Sequence, residues 1–462
     1  MRNGRSGRLS SKISRLITSK GSSGTRMKQA SPKQRSLWTK IGITLLVMFL
    51  IAAALQIGPH IISSRTDRSP ARLLEGIEPD SSSTEKQTRI KTILQAMTPE
   101  EKAGQLLMFG FSEEDEHFIS QMISRRQIGG VIIFERNVRD AGQVIRMNQA
   151  LQRRAYLYGS LPLFIAVDQE GEPVDRLGST ITCFPGPRDL GRLNSPYYTW
   201  IAARDTAREL KALGFNVNLA PVLDIAGEDS IVYERSYGDA AWQVCSLGQA
   251  AVNGYRQGGV IPCAKHFPGI GFAVDDPHEG TVEIEKNLNE LEESDLRPFR
   301  HLIAAGVEMI LVSNALYPSL DPEAPACFSP IIVKDLLREN MAYDGLILCD
   351  DLEMGAALSH NSTGRLAVDA VKAGADIVLV CHSPEKQAEA YNALVEAIKS
   401  GEINEQQLNE TLNRIITIKM KWQLGSQQAV PEKAAAVIKN QRHQEDARQI
   451  MTELNRKKDS DN

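Results

Sequence analysis

The sequence predicts an α/β protein, a (β/α)8 barrel of the TIM type preceded by an N-terminal transmembrane helix. Three observations carry this. Eight short apolar runs recur along the chain: 106–111, 129–134, 163–168, 217–224, 261–267, 309–314, 345–350 and 376–381. Several are almost continuous in Val, Ile, Leu and Phe, as strands covered on both faces must be. Amphipathic helical stretches separate them, and eight such repeats over some 320 residues suit a closed barrel better than an open sheet. An open dinucleotide-binding sheet would want a glycine-rich turn after its first strand, and "FGFSEEDEHF" does not supply one.

The elements follow in order. Residues 1–40 carry eleven Lys or Arg and no acidic residue, although the whole 462-residue chain is −4. From Ile41 to Ile62 no charged residue occurs, and Ile41–Leu55 is almost wholly apolar. A run of about 20 residues spans the bilayer core, and the positive arm before it stays cytoplasmic. The reading is therefore a basic cytoplasmic tail (1–40) and a transmembrane anchor (41–62), with the rest periplasmic or extracellular. A nucleic-acid-binding arm is disfavoured by the apolar run that follows it, and a cleaved signal peptide and a buried helix are the alternatives. Residues 63–88 are polar and turn-rich, and they read as a flexible linker. The barrel domain is placed at 89–425, with Thr98 and Glu101 forming a capping box and Pro99 at the first helical position. Residues 426–462 read as a polar helical tail too poor in apolar runs to form a second domain.

Composition adds exclusions. Hydrophobic content of 42% and charged content of 24% describe a globular chain. Six cysteines show neither CxxC pairs nor metal-ligand spacing. No metal and no organic cofactor is expected, and a monomer is the expected state.

The ends of the strand runs carry the chemistry. Asp168, Asp224, Lys265 with His266, Asn314, Asp350 with Asp351, and His382 each stand where a run stops. In a barrel those C-terminal ends floor the active site. Asp350, fixed at a strand tip, suits a nucleophile, and its neighbour Asp351 is expected to point elsewhere. In "DDPHEG", Asp276 and His278 lie two residues apart around Pro277, which holds the preceding residue extended. The carboxylate then orients an imidazole able to give and recover a proton near neutral pH.

These motifs stand together in a known order. "IAVDQEGEPVDRL" (165–177), "LGFNVNLAPVLDI" (213–225), "ERSYGD" (234–239), "AKHFPGIG" (264–271), "DPH" (276–278), "LILCDDLEMGA" (347–356) and "AGADIVLV" (373–380) resemble glycoside hydrolase family 3. The likeness runs from Leu107 to about Gln423 and is nearest the single-domain β-N-acetylhexosaminidase branch. Departures are Ile270 in place of the histidine of "PGHG", Glu172 and Pro173 in place of the second glycine of "QEGG" and its follower, and Pro277 inside the loop triplet. The resemblance implies retaining hydrolysis through a covalent glycosyl-enzyme. It implies Asp350 as nucleophile, His278 as acid/base oriented by Asp276, and Asp168, Arg176, Arg235, Lys265 and His266 as sugar-binding residues. The expected substrate is a GlcNAc-containing oligosaccharide, peptidoglycan fragments foremost. The alternatives are a β-glucosidase or β-xylosidase of the same family, or an inactive membrane-tethered sugar-binding protein.

Overall fold

A computed structural model describes residues 69–74, 81–112, 116–273, 282–354, 362–425 and 431–461. The candidate anchor (41–62) and the Asp276–His278 pair lie outside the described residues. Among the described residues no helix is long and apolar enough to cross a membrane.

The eight expected runs all become strands of one closed parallel barrel. In chain order these are β1 (Leu107–Phe109), β2 (Gly130–Ile133), β3 (Phe164–Val167), β6 (Val217–Asn218), β7 (Ile261–Phe267), β8 (Met309–Val312), β9 (Leu346–Cys349) and β10 (Ile377–Val380). Between β3 and β6 a small antiparallel hairpin, β4 (Gln169–Gly171) with β5 (Val174–Asp175), stands off the barrel end. Every residue of the eight barrel strands is buried, which is why the sequence shows continuous apolar runs rather than alternation. Strand β6 is short for a reason. Pro221 has no N–H to donate, so past Asn218 the chain stays attached through irregular bonds such as Leu223 N to Lys265 O, 2.6 Å.

Helices wrap the barrel. Before it come α1 (Pro70–Leu74), α2 (Ser83–Ala96) and α3 (Pro99–Gln105). The expected Thr98–Glu101 capping box is present, with Glu101 N donating to the Thr98 hydroxyl at 3.2 Å. Then follow α4 (Glu116–Arg126), α5 (Ala141–Leu157), α6 (Pro187–Leu193), α7 (Pro196–Leu213), α8 (Ala241–Gly258), α9 (Leu288–Glu293) and α10 (Leu296–Ala304). The circuit continues with α11 (Ile331–Asn340, wound as a π-helix), α12 (Thr363–Ala373), α13 (Pro384–Ser400) and α14 (Glu405–Lys421).

One expectation about the flanks needs correction. The stretch 63–88, read as a flexible linker, contains α1 and the start of α2. Ile90 and Ile93 of α2 and Leu161 and Ile416 of the barrel domain form one buried apolar cluster, with Leu73 and Leu74 packed on it. These few leucines and isoleucines lie among polar neighbours, so the stretch reads as tether until its partners are known. The tail is helical, as expected, forming α15 (Pro431–Ala435) and α16 (Gln441–Asp461), and it packs onto the barrel domain. Ala447, Ile450 and Leu454 of α16 are buried.

Candidate active site

The polar residues at the strand ends meet in one connected charge network. Lys265, near the end of β7, is buried at the middle of it. Its ammonium lies 2.6 Å from Asp168 Oδ1 and 2.7 Å from Glu170 Oε1. Arg235 clamps the same Glu170 with two parallel bonds, Nε to Oε2 at 2.9 Å and Nη2 to Oε1 at 2.8 Å. Arg235 Nη2 also lies 3.3 Å from His266 Nε2. On the other side of the ring, His266 Nδ1 sits 2.7 Å from Asp224 Oδ2. The second oxygen of Asp224 accepts the backbone N–H of Ile270 at 2.8 Å.

Burial decides what each charge does here. The Glu170 side chain is 1% exposed, Asp168 14% and Arg235 25%. Burial alone would raise the Glu170 carboxyl. The charges of Arg235 and Lys265 and their hydrogen bonds overcome it and hold the group far below its ordinary range. Lys265 shows the mirror effect: burial pulls it down, and Asp168 and Glu170 more than compensate, so it stays charged. Removing one member of so buried a set costs about 3–5 kcal/mol, because the survivors lose their counter-charge. The network is thus a rigid frame, with Asp168 and Arg235 as its more exposed edges.

Asp350 follows directly on β9. Its N–H donates to Val312 O at 3.1 Å, and its Oδ1 accepts the N–H of Asp351 at 2.8 Å. Burial pushes its carboxyl above the ordinary value near 3.8, and the charges of His266 and Lys265 partly offset this. Asp350 thus stands at the C-terminal end of β9, the same end of the barrel at which Lys265 and His266 of β7 stand. Asp351 turns away, as expected: its Oδ1 accepts Cys381 N at 3.1 Å, and its Oδ2 lies 3.3 Å from His382 Nε2.

Arg176 is not joined to this network. It leaves the β4–β5 hairpin, and its guanidinium stands 5.8 Å from the Phe134 ring, which Arg136 and His382 also flank. It belongs to the rim. Asp276 and His278 lie outside the described residues. The chain on either side of their loop is fastened at this end of the barrel: Ile231 N donates to Ala273 O at 3.0 Å and Leu316 N to Val282 O at 2.8 Å. Gly271, at the near end, approaches Ile225 so closely that a Cβ would stand 2.0 Å from its carbonyl oxygen. No side chain fits there.

Two members of the frame escaped the sequence reading as site residues. Asp224 was visible only as one strand-end carboxylate among several. Glu170, two residues past Asp168, had its signal in that spacing, since i and i+2 on an extended segment share a side. The Ile270 departure also has an explanation. Its side chain is buried in the core, and the bond to Asp224 comes from its backbone, so the frame does not depend on that residue's type.

Among the described residues one group gathers potential metal ligands. Glu172, Asp175 and Cys183 bring ligand atoms within 4.8 Å at the hairpin. Burial, then the charges of Asp175 and Glu172, push the Cys183 thiol upward, which disfavours the thiolate a metal ligand must be. All six cysteines are free thiols.

Known proteins align with this arrangement. A beta-hexosaminidase of Nitrosomonas eutropha is 35% identical over 279 residues, 59% of this chain and 79% of that one. The structure of a glycoside hydrolase family 3 beta-N-acetylglucosaminidase from Paenibacillus sp. str. FPU-7 superposes with a TM-score of 0.75 at 34% identity, covering 78% of this chain and 69% of that one. A beta-N-acetylhexosaminidase from Beutenbergia cavernae gives 0.65 at 29% identity, covering 70% of this chain and 98% of that one. The model of the glycosyl hydrolase family 3 N terminal domain matches residues 98–418, which include all eight barrel strands and the whole charge frame. On that match, and on the barrel and strand-end chemistry already described, the chain belongs to glycosyl hydrolase family 3 and is a glycoside hydrolase.

Proposed function

We propose that this enzyme is a retaining exo-β-N-acetylglucosaminidase that releases terminal non-reducing GlcNAc from peptidoglycan fragments or related oligosaccharides. The observation that carries the reading is the placement of Asp350. A partly buried carboxylate stands directly after β9, at the barrel end that also carries the Lys265–Asp168–Glu170–Arg235 network and where the chain on either side of the Asp-Pro-His stretch is fastened. The names of the relatives support the choice of amino sugar.

In this mechanism the Asp350 carboxylate attacks the anomeric carbon. An ester bond forms there as the bond to the leaving oxygen breaks. His278, oriented by Asp276, gives its proton to that oxygen. It then takes one from the water that attacks the same carbon as the ester bond to Asp350 breaks, and the sugar leaves with its original anomeric configuration. Asp168 and Arg235, the exposed edges of the frame, hold sugar hydroxyls through charge-assisted hydrogen bonds. Lys265 and His266 fix those edges, and their charge partly offsets the burial that raises the Asp350 carboxyl. Arg176 contacts the substrate from the rim. Residues 41–62 anchor the chain in the cytoplasmic membrane, with the N-terminus inside and the barrel on the far side.

The test is hydrolysis of 4-nitrophenyl N-acetyl-β-glucosaminide against the matching glucoside, with wild type and His278→Ala. The amino sugar should be strongly preferred, and the variant should lose far more activity on poor leaving groups than on the aryl glycoside. Preference for the glucoside overturns the substrate assignment; equal losses on both leaving groups overturn the role of His278.

A further inference from the structure

Three polar residues at the strand ends take no part in the chemistry proposed above: Asn314 beyond β8, Asp351 beyond β9 and His382 beyond β10. They converge beside Asp350. The N–H of Asp351 donates to Asp350 Oδ1 at 2.8 Å, so the setting of residue 351 constrains the attacking carboxylate. Residue 351 is itself held on several sides. Its carbonyl oxygen accepts Asn314 Nδ2 at 2.9 Å. Its buried side chain accepts Glu353 N at 3.2 Å and Cys381 N at 3.1 Å, both on Oδ1. The remaining oxygen, Oδ2, faces His382 Nε2 at 3.3 Å.

The tautomer of that imidazole follows from its other neighbour. Arg136, in the short turn after β2, brings Nη1 to 3.2 Å from His382 Nδ1. A guanidinium only donates, so Nδ1 is the bare nitrogen and the ring proton stands on Nε2, toward Asp351. Arg136 is fixed in turn by bonds to Phe111 O at 3.0 Å and Cys381 O at 2.6 Å. The Phe134 ring backs both partners, with its centre 4.4 Å from the guanidinium and 5.6 Å from that of the imidazole. Donors thus run in one direction, from Arg136 through His382 to the Asp351 carboxylate. The His382 side chain is 53% exposed, so it adds little to the core.

We propose that His382 is a positioning residue: acting through Asp351, it holds the Asp350 carboxylate in the orientation that meets the anomeric carbon. The inference rests on the assignment of Asp350 as nucleophile made above. It adds a residue that leaves sugar binding alone and sets the speed of attack.

The test compares wild type with His382→Ala and His382→Gln on 4-nitrophenyl N-acetyl-β-glucosaminide, with free GlcNAc as a competing inhibitor and thermal melts of each protein. A nucleophile displaced by a fraction of an ångström attacks slowly but leaves the sugar bound. His382→Ala should therefore lower kcat/KM about tenfold or more, while the GlcNAc inhibition constant stays within about twofold of wild type. Glutamine offers an amide N–H to Asp351 and an oxygen to Arg136, so His382→Gln should regain most of the loss. An Ala variant as fast as wild type, equal losses in both variants, or a loss that comes with weaker GlcNAc inhibition or an earlier melt each overturns the positioning role. Asp350→Asn separates the two readings. If it stays active, the nucleophile assignment fails and the positioning with it; if it is inactive while His382→Ala matches wild type, only the positioning fails.

Discussion

At the scale of single residues, the barrel mouth is a set of charges that fix one another. Lys265 and Asp168 are 97 positions apart in the chain, and His266 and Asp224 are 42 apart. Glu170 contributes stability that is fully present above its ordinary pKa, near 4.5, and is lost as pH falls, because its folded carboxyl is held far lower. Asp350 has the opposite sign. Its folded pKa is raised, so its contribution is full below the ordinary value near 3.8 and is lost as pH rises through the folded pKa. A group kept ionised at neutral pH against its burial costs stability, as functional carboxylates do. Asp350→Asn should therefore raise the melting temperature at neutral pH while lowering kcat by roughly four orders of magnitude. The acid limb of wild-type kcat/KM should lie above the ordinary aspartate range. Thermal melts and a pH–rate profile check both, and a variant that is less stable yet still active would remove Asp350 from the nucleophile's place.

At the scale of elements, the C-terminal helix is a working part of the domain. His443 of α16 is buried between Glu209, at 2.7 Å, and Asp205, at 3.6 Å. Glu209 also accepts the Thr182 hydroxyl at 2.7 Å and Lys439 N at 3.0 Å, so one carboxylate joins α7, the segment before α6, and the tail. Arg204 spans Asp205 and Asp446 and closes the clasp. His443→Ala should cost about 3–5 kcal/mol by leaving a buried carboxylate short of its partner. Hydrogen exchange should quicken in α16 first and leave the barrel strands protected, with hydrolysis kept within about twofold. Slower exchange in α16 would mean that the carboxylates hold the helix without the histidine.

At the scale of the whole molecule, residues 66–462 form one compact unit. A chain starting at Thr66 should keep the hydrolytic activity of the full chain within about twofold, since every element of the barrel lies inside it. It should also lose flotation with vesicles. Loss of hydrolysis in a folded truncated chain would give the first 65 residues a part in the site.

Much of this was legible in the sequence because it depends on local pattern. A strand covered on both faces must be apolar at every position, so eight buried strands announce themselves, and the residue after each run is set at the mouth by the barrel's direction alone. That reasoning placed Asp168, Lys265, His266 and Asp350 together, and it placed Arg235 among them by motif. It left out Glu170 and Asp224 as partners, and it treated residues 63–88 as linker. Pairing across strands, the clasp on His443 and the landing of Ser69 on Gly159 are contacts between distant positions, and no local period encodes them. The chain by itself determined which residues face the core and which stand at the strand tips. Only the closed tertiary structure decided which charge neutralises which, because desolvation and Coulomb attraction depend on distances that exist only once the barrel has closed.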